Sequence, residues 1–213
     1  MIIAVDGPTA SGKGTIARAL ARHYGLPHLD TGLLYRAVGW QVAHNGGDPD
    51  KADDALAATA FPEALLDEPE LRSEATGSLA SCVSVHPAVR AALLERQRAF
   101  AHQPGGAVLD GRDIATVIVP GADAKLFVTA SVAARALRRW KEMRERGQDV
   151  SREAIEADLA RRDERDSTRA EAPLRQAEGA ALLDTSAMPP EAAIAAAIAL
   201  VDRQAAGNIS ARP

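Results

Sequence analysis

The chain has 213 residues, of which 46% are hydrophobic and 25% are charged, and this length suits one α/β domain with small insertions. A formal net charge of −4 argues against a general nucleic-acid-binding protein, and Cys82, the only cysteine, excludes an intrachain disulfide and a cysteine-based zinc site. No apolar run is long enough to cross a bilayer, and the chain begins with a predicted strand rather than a charged leader. We therefore expect a cytoplasmic protein that binds neither nucleic acid nor membranes.

The first fifteen residues predict a strand, a phosphate-binding loop and the start of a helix. Ile2–Val5 is a short apolar run of the kind that forms a buried parallel strand. The loop from Gly7 to Lys13 follows the pattern G-x-x-x-x-G-K, in which backbone N–H groups and the lysine surround phosphate oxygens. Gly14 stands where such loops usually carry a magnesium-binding hydroxyl, so that hydroxyl is displaced to Thr15. The alternative is a glycine-rich turn that binds nothing.

The rest of the chain alternates predicted helices and strands. Helices are predicted at residues 13–24, 32–44, 52–60, 88–101, 131–146, 151–166 and 190–204, with a further one beginning near residue 71. Strands are predicted at residues 26–29, 107–110, 124–128 and 180–184, in addition to the first. This alternation indicates an α/β fold in which helices cover both faces of a parallel sheet.

Glycine and hydroxyl residues mark several helix ends. We expect Gly25 to end the first helix, and Thr31 and Ser151 to cap the helices that follow them. Residues 51–76 hold two prolines among acidic residues, and we expect a small mobile insertion there. Residues 205–213 offer few side chains to bury, and we expect them to be disordered.

Polar side chains follow three of the predicted strands. They comprise the phosphate loop, residues 30–32 with Arg36, and residues 110–113. Because parallel strands end at one edge of a sheet, we expect these groups to converge where ligands bind in such folds. Asp110 resembles the strand-end acid that holds magnesium in phosphate-loop proteins. Arg112 and Asp113 together suit a polar ligand, although an ordinary surface ion pair is the alternative.

A second charged set lies on a predicted helix near the C-terminal end. Arg162, Asp166 and Arg169 are spaced i, i+4 and i+7 and therefore share one face, with Arg165 beside them. A solvated ion pair is one interpretation. A binding face is the other, and phosphoryl transfer needs such a face because catalysis there consists mostly of positioning and charge neutralisation.

Six stretches together resemble the bacterial cytidylate kinases: residues 7–15, residues 30–36, Ser81 with residues 86–90, residues 98–100, residues 110–113 and residues 162–174. The resemblance implies a single phosphate-loop kinase domain with the three-layer α/β fold of the phosphate-loop nucleoside triphosphate hydrolases and a five-stranded parallel sheet. It also implies a helical NMP-binding insertion at about residues 31–104 and a lid at about residues 138–160. The implied reaction transfers the γ-phosphoryl group of ATP to CMP or dCMP with Mg²⁺. We expect the protein to act as a monomer.

The resemblance also implies a role for individual residues. ATP would be bound by Gly7, Pro8, Thr9, Ala10, Ser11, Gly12, Lys13, Gly14, Thr15, Arg138 and Arg139. The acceptor nucleotide would be bound by Thr31, Arg36, Ser81, Arg90, Arg112, Asp113, Asp166 and Arg169. The catalytic set would be Lys13, Asp110, Arg112 and Arg162, with Thr15 and Asp110 as magnesium ligands.

The stretch between Phe61 and Leu71 departs from this pattern, because it is too short for the extra strands that bacterial enzymes often carry there. Two alternatives stay open. One is another small phosphate-loop kinase, acting on adenylate or a small metabolite. The other is a nucleotide-binding switch without an acceptor, although the chain has no Asn-Lys-x-Asp guanine signature.

Overall fold

The computed structural model describes residues 1–145 and 147–210 of the chain. The chain divides into two compact units, one made of Met1–Leu29 with Ala101–Pro213 and the other of Asp30–Phe100. The second unit has nearly the same bounds as the insertion expected at residues 31–104. Arg146, the expected end of one helix, and residues 211–213 of the expected tail lie outside the described residues.

Five parallel strands form the sheet of the first unit, in the order β2-β3-β1-β4-β5. Their bounds are Ile2–Asp6 for β1, His28–Asp30 for β2, Ala107–Gly111 for β3, Ala124–Thr129 for β4 and Ala181–Asp184 for β5. The apolar run of β1 lies at the centre, where Ile3, Ala4 and Val5 are fully buried. The predicted five-stranded parallel sheet is thereby confirmed.

Eight α-helices complete the described chain: α1 at Lys13–Tyr24, α2 at Thr31–His44, α3 at Ala52–Ala57, α4 at Glu74–Val83, α5 at Pro87–Ala101, α6 at Val132–Glu145, α7 at Arg152–Thr168 and α8 at Pro190–Ser210. Within the first unit, α1 and α8 pack against the sheet in one core, through side chains such as Ile16, Leu20 and Val201. Within the helices that the structure describes, none is by itself both long and apolar enough to span a bilayer, although α4 and α5 pass that test as a pair bent by 105°.

The helix ends confirm two expected caps and correct others. Gly25 ends α1 in a left-handed conformation, and the Ser151 hydroxyl accepts a hydrogen bond from the Ala154 N–H at the start of α7. Thr31 does not cap α2, since it is the first helical residue and Asp30 holds the capping position. The last helix does not end at Gln204 but continues to residue 210, so the expected disorder is not supported for residues 205–210.

Apart from Asp30, the last residue of β2, the second unit consists of helices and their connections. Its core joins α2, α4 and α5 through Leu34, Val38, Val83 and Val89. Residues 51–76, all of them described, contain α3, three short 3-10 helices and the start of α4 but no strand. This agrees with the expectation that the stretch between Phe61 and Leu71 is too short for extra strands. Helix α4 begins at Glu74 rather than near residue 71, because the Ser73 hydroxyl caps it by accepting from the Thr76 N–H.

Candidate functional site

The phosphate loop connects β1 to α1 and is tightly closed. A Cβ atom on Gly7 would lie 2.0 Å from the Val128 carbonyl oxygen, so only glycine fits where the loop leaves the sheet. Gly12 has a φ of 90° immediately before α1 begins. The Lys13 Nζ donates to the Pro8 carbonyl oxygen at 3.3 Å and folds the lysine back over the loop. The predicted strand, loop and helix are all present.

Asp6 anchors the backbone that follows β3. Its two carboxylate oxygens accept hydrogen bonds from the N–H groups of Ile114 and Ala115, each at 2.8 Å. These residues open a π-helical turn, Ile114–Ile118, which the sequence pattern did not predict. Burial raises the pKa of Asp6 to about 6, partly offset by the two backbone hydrogen bonds. Asp6 therefore holds the turn next to the Asp110–Asp113 stretch.

Arg112 connects the phosphate loop to α7. Its Nη2 donates to the Thr9 Oγ1 at 2.6 Å, and its Nε donates to the Asp166 Oδ2 at 2.6 Å. Burial of Asp166 raises the pKa of its carboxyl, but the charge and hydrogen bond of Arg112, with the charges of Arg169 and Lys13, lower the pKa below its usual value. The structure thus brings three predicted site residues, Thr9, Arg112 and Asp166, into one hydrogen-bonded group.

The two arginines predicted to share a face with Asp166 have different partners. Arg162 is buried, like Asp166 one turn on, and its Nε lies 2.8 Å from the Asp158 Oδ2. Burial lowers the pKa of Arg162, and the charge of Asp158 opposes that change. Arg169 follows the last residue of α7 and donates through Nη2 to the Ala172 carbonyl oxygen at 2.9 Å. The predicted shared face is buried at Arg162 and Asp166, while Arg169 contacts the loop that follows.

Asp110 is the buried acid at the end of β3. Its Oδ1 lies 2.7 Å from the His28 Nε2, a partner that the sequence did not indicate. Its Oδ2 faces the start of α1, where a Cβ atom on Gly14 would lie 3.7 Å away. Gly14 has no hydroxyl, and Thr15 was expected to supply the magnesium-binding hydroxyl in its place. Thr15, however, is exposed, and its Oγ1 accepts from the Arg18 Nη2 at 3.5 Å.

The acid at residue 110 fits a magnesium ion better than the threonine does. Among the described residues, no group of three or more His, Cys, Asp or Glu side chains could hold a metal ion. Magnesium at nucleotide sites, however, takes only one or two carboxylates and completes its shell with phosphate oxygens and water. Asp110 supplies such a carboxylate beside the loop, whereas Thr15 lies next to a guanidinium group, which repels cations.

The two arginines predicted to contact ATP differ in their surroundings. Arg138 on α6 donates through Nη1 to the Thr185 Oγ1 at 3.0 Å, and through Nη2 to the carbonyl oxygen of the same residue. The buried Thr185 hydroxyl in turn donates to the Ser11 carbonyl oxygen at 2.9 Å, so Arg138 is linked to the phosphate loop. Arg139 lies 3.9 Å from Glu142 on the same helix.

Four of the predicted acceptor residues lie in the second unit. Arg36 donates through Nη1 to the carbonyl oxygens of Leu71 at 2.8 Å and Ser73 at 2.7 Å, just before α4. The Arg90 guanidinium lies 5.8 Å from the ring centroid of Tyr35. The remaining two are Thr31, which is buried at the start of α2, and Ser81, which is half-buried on α4. Asp113, predicted to share the cytosine contacts, is buried in the first unit.

Comparisons with known proteins identify relatives over nearly the whole chain. The sequence profile of the family described as cytidylate kinase matches residues 3–203. The cytidylate kinase of Xanthobacter autotrophicus is 58% identical over 208 residues, which cover 98% of this chain and 100% of that protein. The cytidylate kinase of Methylocella silvestris is 54% identical over 203 residues, covering 95% of this chain and 94% of that protein.

A solved structure supports the fold at a greater distance. An uncharacterized protein from Eubacterium ventriosum matches with a TM-score of 0.56 and 15% identity, covering 95% of this chain and 98% of that chain. At that identity the likeness concerns the fold alone. The family profile and the curated relatives, which extend over nearly the whole chain, decide the family. This chain belongs to the cytidylate kinase family of ATP-dependent nucleoside monophosphate kinases.

Proposed function

We propose that this chain transfers the γ-phosphoryl group of ATP to CMP or dCMP. The observation that carries the proposal is the position of Arg112. Its guanidinium contacts the Thr9 hydroxyl of the phosphate loop and Asp166 on α7, both at 2.6 Å. An arginine between a donor loop and a carboxylate suited to sugar hydroxyls is well placed to neutralise a phosphate in transfer.

The donor half of the site is the loop from Gly7 to Thr15. Its backbone N–H groups and the N-terminus of α1 would surround the β and γ phosphates of ATP. Lys13, now bonded to the Pro8 carbonyl oxygen, would exchange that neutral partner for phosphate. Arg138 and Arg139 on α6 would contact the remainder of ATP, in a lid at about residues 138–160. Arg162, buried on α7, would face the transferring phosphate.

The acceptor half of the site would consist of the residues predicted to bind CMP. Arg36 and Arg112 would hold the phosphate of CMP, since each presents a planar guanidinium that can donate two parallel hydrogen bonds. Ser81, Arg90 and Asp113 would recognise the cytosine ring, and Thr31 would contact the nucleotide. Asp166 and Arg169 would recognise the sugar hydroxyls. Asp30–Phe100 would serve as the NMP-binding insertion.

Asp110 is the residue that would hold magnesium. A bound ion would supply positive charge to the β and γ phosphate oxygens. His28 lies 2.7 Å from one oxygen of Asp110, so it orients the carboxylate and leaves the second oxygen toward the loop. Thr15 is the second candidate magnesium ligand, and its exposed side chain lies beside Arg18.

A coupled assay that follows ADP formation tests the reaction with CMP, dCMP, UMP and AMP as acceptors. We expect turnover with CMP and dCMP, and we expect CMP to raise the melting temperature because it binds the native state. Turnover with AMP but none with CMP would refute the proposal. Gel filtration of the same protein tests the monomer that we expect.

Replacing Arg112 with alanine tests its assignment to the acceptor. We expect the rate of CMP phosphorylation to fall by about a thousandfold, the effect typical of arginines that neutralise charge in phosphoryl transfer, while ATP binding is retained. Arg161→Ala is the matched control, because that arginine lies on the exposed side of α7. Loss of ATP binding in Arg112→Ala would show that the residue acts on the other substrate.

A further inference from the structure

Arg135, which no sequence motif singled out, contacts the main chain of the phosphate loop. It lies on α6 and is only 3% exposed. Its Nη1 donates to the Thr9 carbonyl oxygen at 3.1 Å, and its Nε donates to the Ala130 carbonyl oxygen at 2.9 Å. Asp163 on α7 accepts from both terminal nitrogens, Nη1 at 3.0 Å and Nη2. Every nitrogen of this guanidinium therefore has a fixed partner.

The next residue of the loop, Ala10, has an unusual backbone conformation. Its φ is +61°, in the left-handed region that residues with a Cβ atom seldom adopt. Such a conformation persists only where its surroundings enforce it. One constraint is packing, because Ala10 contacts the small apolar cluster of Ala136, Ile155 and Leu159 between α6 and α7. The Arg135 hydrogen bond to the neighbouring carbonyl is the second constraint.

The geometry of the peptide bond connects this hydrogen bond to phosphate binding. The Thr9 carbonyl and the Ala10 N–H belong to one planar trans peptide, so they point in opposite directions. When the carbonyl is fixed toward Arg135, the N–H is fixed away from it. Phosphate loops bind their ligand through backbone N–H groups, so the direction of each N–H decides the affinity.

We propose that Arg135, held in place by Asp163, is a positioning residue that fixes the Thr9–Ala10 peptide and so prepares the loop for the phosphates of ATP. This inference rests on the proposed function only in taking ATP as the ligand of the loop. It is distinct from the role of Arg112, which donates to the side chain of Thr9 rather than to its main chain. Asp163 matters because a buried guanidinium keeps one orientation only when its charge is paired.

The test removes the charge of Asp163, whose side chain is 28% exposed and so tolerates substitution better than that of Arg135. Calorimetric titration with Mg²⁺ and ATP, without CMP, measures the donor side in the wild-type protein, Asp163→Asn and the control Glu164→Gln. The control removes the same charge from an exposed neighbour on α7. We expect the Kd for ATP to rise about tenfold in Asp163→Asn and to stay unchanged in the control.

A titration with CMP separates positioning of the loop from general damage. We expect the Kd for CMP and the melting temperature without ligand to change little in Asp163→Asn. An unchanged Kd for ATP, or equal losses for ATP and CMP, would overturn the inference. Failure of the wild-type protein to bind ATP would instead refute the proposed function.

Arg135→Lys provides an independent variant. A lysine supplies one cationic nitrogen in place of the planar fork, so it cannot hold the Thr9 carbonyl and both oxygens of Asp163 together. We expect a similar loss of ATP affinity, and we expect Arg135→Lys with Asp163→Asn to lose little more than either variant alone. Fully additive losses would show that the two residues act separately and would contradict the inference.

Discussion

Replacing Asp6 with asparagine tests whether this buried carboxyl group is held in the charged state at a cost to stability. Asp6 is 2% exposed and faces the negative charge of Asp113 as well as the positive charge of Arg112. Burial is the largest influence, and it raises the pKa of the carboxyl from 3.8 to about 6. The folded protein therefore binds the Asp6 proton more tightly than the unfolded chain does.

The magnitude follows from this difference in pKa. A rise of about two pKa units corresponds to about 3 kcal/mol in the free energy of unfolding. Because the folded-state pKa is the higher one, this contribution is fully present below pH 3.8 and is lost as the pH rises through about 6. Asparagine has no such titration. As the pH rises from about 4 to about 7.5, the free energy of unfolding of Asp6→Asn should therefore rise by up to about 3 kcal/mol relative to that of the wild-type protein.

A second effect of the substitution does not depend on pH. The N–H groups of Ile114 and Ala115 each donate to a different oxygen of Asp6. Asparagine replaces one of these oxygens with an NH₂ group, which cannot accept, so one N–H loses its partner. The unsatisfied N–H destabilises the variant by about 1–3 kcal/mol. Urea unfolding of both proteins across this pH range separates the two effects, because only the first changes with pH. A stability difference that stays constant, or that shifts toward the wild-type protein as the pH rises, would refute the raised pKa.

Two glycine substitutions test close approaches of the backbone. Gly39→Ala would bring a Cβ atom to 2.8 Å from the Leu79 Cβ and 2.9 Å from the Ala80 nitrogen. We expect α2 and α4 to move apart and the free energy of unfolding to fall by about 1–3 kcal/mol, measured as a lower urea midpoint. Gly7→Ala would place a Cβ atom 2.0 Å from the carbonyl oxygen of residue 128, so we expect ATP affinity measured by calorimetry to fall more than about tenfold. Gly121→Ala is the control for both, since a Cβ atom there meets no described atom within 4 Å apart from those of its chain neighbours. Wild-type behaviour of either variant would contradict the packing at that site.

Local patterns in the sequence predicted the features that depend on neighbouring residues. The phosphate loop, the helix-ending Gly25 and the capping Ser151 each follow from a few adjacent residues, and the structure contains all three. The prediction for β2 was wrong in its bounds: the sequence pattern predicts residues 26–29, and the strand lies at His28–Asp30. Pro27 explains part of this shift, because proline has no N–H to donate within a sheet.

Contacts between distant parts of the chain could not be predicted in this way. The π-helical turn at Ile114–Ile118 is held by Asp6, which lies more than a hundred residues earlier. Arg135 reaches the carbonyl of Thr9 across a similar separation, and His28 meets Asp110 only when two neighbouring strands align. In each case the chemistry of the residue was visible in the sequence, but its partner is decided by the fold.

The strand order has a consequence for the way the chain folds during synthesis. The first strand made, β1, is flanked by β3 and β4, and its Ile2 pairs with Ala107. Those partners leave the ribosome only after about half of the chain has been made, so an apolar strand waits without hydrogen-bond partners. The helical unit Asp30–Phe100 is continuous in sequence and can form during this interval. This unit makes up most of the connection between β2 and β3. Its early folding would shorten the flexible chain between those strands and so lower the entropic barrier to closing the sheet.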